Sequence, residues 1–166
     1  INFKAFLFDG RATGSAHLTS LLNSPYINGH FKIDSMSVDN ALMGQSDLGI
    51  SWMDYSKTIT LDCDIHNNGT KSRVNGFLSP VHDTIMLKID ADRLNIGFLN
   101  KKVGAFLSDI DGYANGTAYI IGGWRRIDLA GSLALHCSTR VKANNVVYSF
   151  MGDTVRLSPG SIVLSD

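Results

Sequence analysis

The chain has 166 residues and a mass of 18.1 kDa, and 15 basic side chains balance 15 acidic ones, for a formal net charge of zero. That balance excludes a general nucleic-acid or anionic-membrane binder, which needs a basic surplus, and no apolar run reaches the roughly 18 residues of a membrane-spanning helix. Charged residues make up 18%, and a chain of this length buries about two-thirds of its unfolded surface, enough for one core without staples.

The chain opens on Ile1-Asn2-Phe3, with no Met, no basic stretch and no apolar leader. The expectation is an excised segment of a longer protein whose signal or anchor has been removed. Thr13-Gly14-Ser15-Ala16-His17-Leu18 is the first strand-like run, followed by Gly29, Phe31 and Ile33 at alternate positions. Leu48-Ile50-Trp52, Ile59-Leu61-Cys63-Ile65 and Ile85-Leu87-Ile89-Ala91 keep the same period of two. Such alternation marks strands that are apolar on one face and wet on the other. Turn signals separate the runs at Asn67-Asn68-Gly69 and Ser79-Pro80.

Between Leu94 and Leu107 the spacing changes. Ile96, Leu99, Val103, Phe106 and Leu107 fall at intervals of a short amphipathic helix, weakened by Gly97 and Gly104. This helix reads as a lid over one end of the apolar face. Period two then resumes at Ala114-Gly116-Ala118-Ile120, turns at Gly122-Gly123, and runs from Ile127 through Leu129, Gly131, Leu133, Leu135, Cys137 and Thr139 to Val141. Met151-Gly152-Asp153 and Ser158-Pro159-Gly160 read as further turns, and the chain ends at Ile162-Val163-Leu164-Ser165-Asp166, still in strand pattern. With 16 Gly and three Pro, at 25, 80 and 159, the whole reads as an all-β, mostly antiparallel protein.

A repeat underlies the pattern. Thr13 to Leu18 aligns with Asn115-Gly116-Thr117-Ala118-Tyr119-Ile120, and Gly29, Phe31 and Ile33 align with Gly131, Leu133 and Leu135, at a constant offset of 102 residues. Val74-Asn75-Gly76-Phe77-Leu78 is a weaker third copy of the second half. Repeated long strands predict a stacked sheet, with glycines inside strands marking curvature or close backbone approach. A curved sheet with its aliphatics on one side makes a trough. Its candidate lining is Leu48, Ile50, Trp52, Ile59, Leu61, Ile65, Ile85, Leu87, Ile89, Ala114, Ala118, Ile120, Ile127, Leu129, Leu133 and Leu135.

Chemistry-bearing constellations are scarce. Cys63 and His66 have C-x-x-H spacing, but i and i+3 on a strand face opposite ways, and no second pair stands at zinc spacing. Cys63 and Cys137 fall in apolar register, and whether they pair is open. Asp62/Asp64 and Asp90/Asp92 lie on polar faces, where a solvated surface explains them. Lys101-Lys102 and Trp124-Arg125-Arg126 are short basic clusters, and Asn68 and Asn115 begin glycosylation sequons. No nucleophile elbow, phosphate loop or dinucleotide fingerprint occurs. The expectation is a protein that is not an enzyme and has no cofactor and no metal.

Leu94-Asn95-Ile96-Gly97-Phe98-Leu99-Asn100, Phe106 to Gly112, Ala114-Asn115-Gly116, Ile120-Ile121-Gly122, Ile127-Asp128-Leu129-Ala130-Gly131, Tyr148-Ser149-Phe150 and Asp153 to Pro159 together resemble the TamB family of translocation and assembly module proteins, AsmA-like, and most of all its Bacteroidetes members. The resemblance covers about 94 to 166 well, with 11 to 91 following a looser version. It implies one fragment of a repetitive β region, with repeat-like units at about 11–91 and 94–166, folded into a curved apolar trough of β-taco type. It further implies a periplasmic segment of an inner-membrane-anchored cell-envelope protein. Its partners would be a phospholipid or an outer-membrane protein client in the groove, and an outer-membrane assembly component through regions outside this segment. The implied roles are lipid transport, protein secretion and outer-membrane protein assembly. The alternative is a closed β-sandwich or barrel acting as an adhesion or carbohydrate-binding module, binding through Trp52, Tyr55 and Trp124.

Overall fold

Alternation of apolar and polar residues, punctuated by turn residues, produces ten strands in the computed structural model, which describes residues 6–19 and 26–165. Residues 1–3, Pro25 and Asp166 lie outside the described residues. The strands are β1 (Phe8–Thr19), β2 (Tyr26–Val38), β3 (Ala41–Met53), β4 (Thr58–Asn67), β5 (Thr70–Ser79), β6 (Thr84–Asn95), β7 (Leu107–Gly122), β8 (Ile127–Val141), β9 (Val146–Ser158) and β10 (Ser161–Ser165). They form one sheet in sequence order, every neighbouring pair antiparallel. β1 and β10 are its two edges, so the sheet is open.

Short turns link most strands because their residues accept left-handed backbone. Asn68 (φ 48°) and Gly69 (φ 84°) close β4 to β5, and Asp39 (φ 48°) and Asn40 (φ 75°) close β2 to β3. Between β6 and β7 the chain instead makes a 3₁₀ turn, Gly97–Leu99, and a single α turn, α1 (Asn100–Val103). The expected helix between Leu94 and Leu107 is therefore present but only four residues long, as the glycines foretell. The expected turn at Met151-Gly152-Asp153 is corrected. Those residues lie inside β9, where Gly152 (φ 111°) forms a bulge opposite Leu135 and His136 and the Met151 N–H donates to Asp153 Oδ2 at 2.9 Å.

The sheet curls strongly. β3 and β6 are three strand spacings apart, about 14 Å in a flat sheet, yet Asn95 Nδ2 at the end of β6 donates to the Leu42 carbonyl of β3 at 2.9 Å. Bulges help the bend by adding a residue to one strand: register shifts fall between Ile33 and Met36, Ala91 and Leu94, and Ser108 and Asp111. In-strand glycine contributes by close approach. A Cβ on Gly131 would lie 2.3 Å from the Thr117 carbonyl oxygen and 2.8 Å from Ala118 Cα.

The 102-residue repeat is a structural repeat. Gly14 faces Phe31 and Ala16 faces Gly29 in β1–β2; Gly116 faces Leu133 and Ala118 faces Gly131 in β7–β8. The match extends further along the strand than Thr13, since Gly10 and Ala12 of β1 correspond to Gly112 and Ala114 of β7. It also extends outward: Gly29–Ile50–Leu61 across β2, β3 and β4 has the register of Gly131–Leu157–Ile162 across β8, β9 and β10. The sheet thus repeats every six strands.

Candidate apolar trough

Because every pairing keeps alternate residues on one side, register alone gathers the apolar positions. Trp52 faces Ile59, which faces Leu78, which faces Ile85. One row further in, Ile50, Leu61, Gly76, Leu87, Ile120 and Leu129 stand side by side across six strands. Leu48, Cys63, Val74, Ile89, Ala118 and Gly131 form the next row. Ile65 and Ala114 with Leu135 occupy the rows beyond, and Leu133 and Ile127 complete the face on β8. All sixteen predicted lining residues therefore lie on one face of one sheet.

They do not all have the same surroundings. At one end the segment after β6 folds onto the face. Phe98 packs against both a cluster built on Met36, Met43, Cys63 and Ile65 and a cluster built on Ile96, Ile110 and Ala114, so one ring spans the two walls. Leu48 and Leu61 pack against the first cluster, Leu133 and Leu135 against the second. Six predicted lining residues (Leu48, Leu61, Ile65, Ala114, Leu133 and Leu135) are thus used by the protein's own plug. The other ten belong to neither cluster. Of these, Ile85 and Ala118 are buried, while Ile50, Trp52, Ile59, Leu87, Ile89, Ile120, Ile127 and Leu129 are half-buried, as are Leu48, Leu61, Leu133 and Leu135. The chain exposes 10287 Å², against about 8,100 Å² for a compact monomer of its mass. A single-layer open sheet, with β1 exposed throughout and apolar side chains such as Met86 and Ile121 on its convex face, exposes more than a compact monomer.

The plug is held by directional bonds. Asn100 acts as a substitute strand at the β7 bulge: the Ile110 N–H donates to Asn100 Oδ1 at 2.8 Å and Asn100 Nδ2 donates to the Ile110 carbonyl at 2.8 Å. The Ile96 N–H reaches the Gly112 carbonyl at 3.1 Å. Across the trough, Lys102 Nζ lies 3.0 Å from Asp39 Oδ2 in the β2–β3 turn, with both side chains more than nine-tenths buried. The same ammonium sits 4.3 Å above the Phe6 ring, which meets Phe98 edge-on at 6.0 Å. Burial pulls the Asp39 carboxyl upward, but hydrogen bonds from Lys102 and the Leu7 N–H prevail and hold it below the usual carboxylate range. The basic pair Lys101-Lys102 is therefore a structural tie: Lys101 also bonds Asn40.

The convex face mixes ion pairs with a partly exposed apolar row, Phe77–Met86–Ile121, beside Tyr119. Arg73 donates Nε–H to Asp62 Oδ1 at 2.9 Å, Lys71 lies 2.9 Å from Asp64, and Lys88 lies 2.7 Å from Asp90, which also accepts from Thr117 Oγ1 at 2.9 Å. Hydrogen bonding to Lys71 holds Asp64 below its ordinary range, and Lys88 does the same for Asp90. Asp62, Asp64 and Asp90 thus have cationic partners on the surface, while Asp92 accepts from the Lys71 backbone N–H. Cys63 is buried on the concave face and His66 is exposed on the other, so the C-x-x-H spacing assembles nothing. Both cysteines are free thiols. Burial, followed by the nearby Asp64 and Asp62 charges, pushes Cys63 up to about 11.

Sequence reasoning missed part of the lining. Phe31, Val74, Leu78, Val155 and Leu157 share the concave face, and Ser46, Ser72 and Asp153 place polar groups on it. The repeat already singled out Phe31, Val74 and Leu78; the others stand beside Gln45, Thr154 or Arg156, where short alternations give little signal. Of the aromatics assigned to a sugar platform, Trp52 lies half-buried inside the trough, while Tyr55 and Trp124 are exposed on turns at the unplugged end. Two shallow clefts, about 480 Å³ beside Gly44, His66 and Lys71 and about 540 Å³ beside Arg11 and Asp34, lie outside the trough. No helix is long and apolar enough to cross a membrane among the described residues. No family model, no curated protein and no solved structure matches the chain.

Proposed function

We propose that this chain is a segment of a periplasm-spanning, TamB-like envelope scaffold whose apolar trough shields lipid acyl chains or outer-membrane client strands. The observation that carries this reading is the alignment of half-buried aliphatic residues on one face of β3 to β8, broken only by glycine and Cys63, with the plug around Phe98 at one end. Shielding about eight methylenes at ~0.8 kcal/mol each is worth about 6 kcal/mol, enough to hold an acyl chain without a polar headgroup site. The backbone edge and the trough together suit transport of phospholipid and assembly of outer-membrane proteins. Such a role needs no catalytic group or cofactor. The single open sheet removes the basis of the closed-sandwich alternative, which required two packed layers or a closed barrel.

The test is photocrosslinking to phospholipid with a reactive side chain at Leu87 or Leu129 on the concave face, compared with Tyr119 on the convex face. Crosslinks are expected from the first two and not from Tyr119, and Leu129→Asp should abolish them while the chain stays folded by circular dichroism. Leu133 is a poorer site for that charge, because it packs against the plug, where a buried carboxylate would destabilise the fold itself. Equal labelling from both faces, or undiminished labelling in folded Leu129→Asp, would sink the proposal.

A further inference from the structure

We infer that Asn68, in the β4–β5 turn, is a site of spontaneous succinimide formation, where the chain converts its own asparagine to aspartate or isoaspartate with water as co-reactant. The sequence holds four Asn-Gly pairs, at 28–29, 68–69, 75–76 and 115–116. All four have the same intrinsic chemistry, because glycine has no side chain to shield its nitrogen or restrict its backbone. What separates them is their place in the sheet.

Three of the pairs lie inside strands. Gly29 of β2 stands between Ala16 and Ile50, Gly76 of β5 between Leu61 and Leu87, and Gly116 of β7 between Ala91 and Leu133. In a strand flanked on both sides the backbone nitrogen belongs to the ladder, and the asparagine carboxamide stands off the sheet, away from it. Ring closure there requires the strand to open first. The Asn115 carboxamide is also held, its Oδ1 accepting the Arg93 N–H at 2.7 Å. Asn68 and Gly69 differ on each count. They lie beyond the closing pair Asn67–Thr70, outside the ladder, and both are exposed. Thr70 Oγ1 donates to the Asn67 carbonyl at 2.7 Å, so the base of the hairpin stays fastened while the two turn residues move. A Cβ built on Gly69 would meet nothing within 4 Å, which leaves room for a ring. The Gly69 nitrogen, its proton taken by solvent base, attacks Asn68 Cγ. The new C–N bond replaces the bond from Cγ to Nδ2, and that nitrogen leaves as ammonia. Water then opens the imide at one carbonyl to give aspartate, or at the other to give isoaspartate, whose backbone runs through Cβ.

The site is a turn on the rim of the sheet, so the inference stands apart from whatever fills the trough. The full chain is kept folded at mildly alkaline pH, sampled over weeks, digested and read by mass spectrometry, with isoaspartate tagged by an isoaspartyl methyltransferase. Asn68 should convert at least about tenfold faster than Asn28, Asn75 or Asn115, because those three wait for local opening. In concentrated urea all four should convert at similar rates. Gly69→Ala, shown to be folded by circular dichroism, should slow conversion at Asn68 and leave the other three unchanged. Equal rates at the four sites in the folded chain overturn the inference. So does a rate at Asn68 that rises on unfolding as much as that at Asn115.

Discussion

Gly131→Ala is the most informative single change in the sheet. Gly131 lies in β8 between Ala118 of β7 and Leu157 of β9, at φ +131°, a conformation that L side chains rarely adopt. The added methyl would stand 2.3 Å from the Thr117 oxygen and 2.8 Å from Ala118 Cα, both backbone atoms of a strand held on each side. Overpacking of this kind costs about 1–3 kcal/mol, and forcing a side chain into that backbone region a further 1–3 kcal/mol or so. The expected loss is thus about 2–6 kcal/mol, read as a lower midpoint in urea at unchanged slope. Two comparisons isolate the cause. Gly14→Ala meets the His30 oxygen at 2.1 Å, but β1 is paired on one side only and can shift away, so its cost should stay below about 2 kcal/mol. Gly69→Ala meets nothing within 4 Å and should cost only about 1 kcal/mol for its φ of +84°. If Gly131→Ala remained within about 0.5 kcal/mol of the parent, or Gly69→Ala cost as much, close backbone approach would not be why glycine stands in these strands.

Three further outcomes follow from the plug and the core. Phe98→Ala removes the ring shared by both buried clusters and should cost about 2–4 kcal/mol in urea unfolding, with the larger loss of amide protection around Ile110; an unchanged midpoint would mean the plug does not bind the walls together. Asp39 has its carboxyl held below the ordinary range in the folded state, so its contribution is complete above the ordinary value and declines as pH falls toward the folded one. Thermal melts of the parent should therefore drop in acid more steeply than those of Asp39→Asn, and parallel curves would refute the tie to Lys102. Cys63, at about 11, leaves about a thousandth of its thiol ionised near pH 8, so in a Cys137→Ser background iodoacetamide should label it only on unfolding; rapid labelling of that native variant would show that the concave face opens there.

Much of this architecture is legible in the residues because strand periodicity is local. The run from Ile127 to Val141 emerges as β8 with those same bounds, and the turns at Asn68-Gly69, Gly122-Gly123 and Pro159-Gly160 lie where φ > 0 or a missing donor demands them. Period two also dictates that residues predicted to share a face do share it, once each hairpin is in register. The departures have physical reasons of their own. Met151-Gly152-Asp153 carries the composition of a turn, but the glycine serves a bulge, and only pairing with β8 distinguishes the two. The segment from Leu94 to Leu107 has helical spacing, yet its glycines and the short span between β6 and β7 leave room for one turn.

What the sequence determined by itself was the strand order's raw material, the apolar face and the repeat, because each depends on contacts within a strand or its hairpin. The tertiary structure alone decided which part of that face stays open. Leu129 and Leu133 are indistinguishable as letters in one alternating run and both end half-buried, but the curl of the sheet brings the cluster of Ile96, Ile110 and Ala114 against Leu133 and not against Leu129. Curvature accumulates over several strands, and the contact that closes the plugged end joins Leu42 to Asn95, 53 residues apart. No local pattern carries that information, and the difference between filled and open trough rests on it.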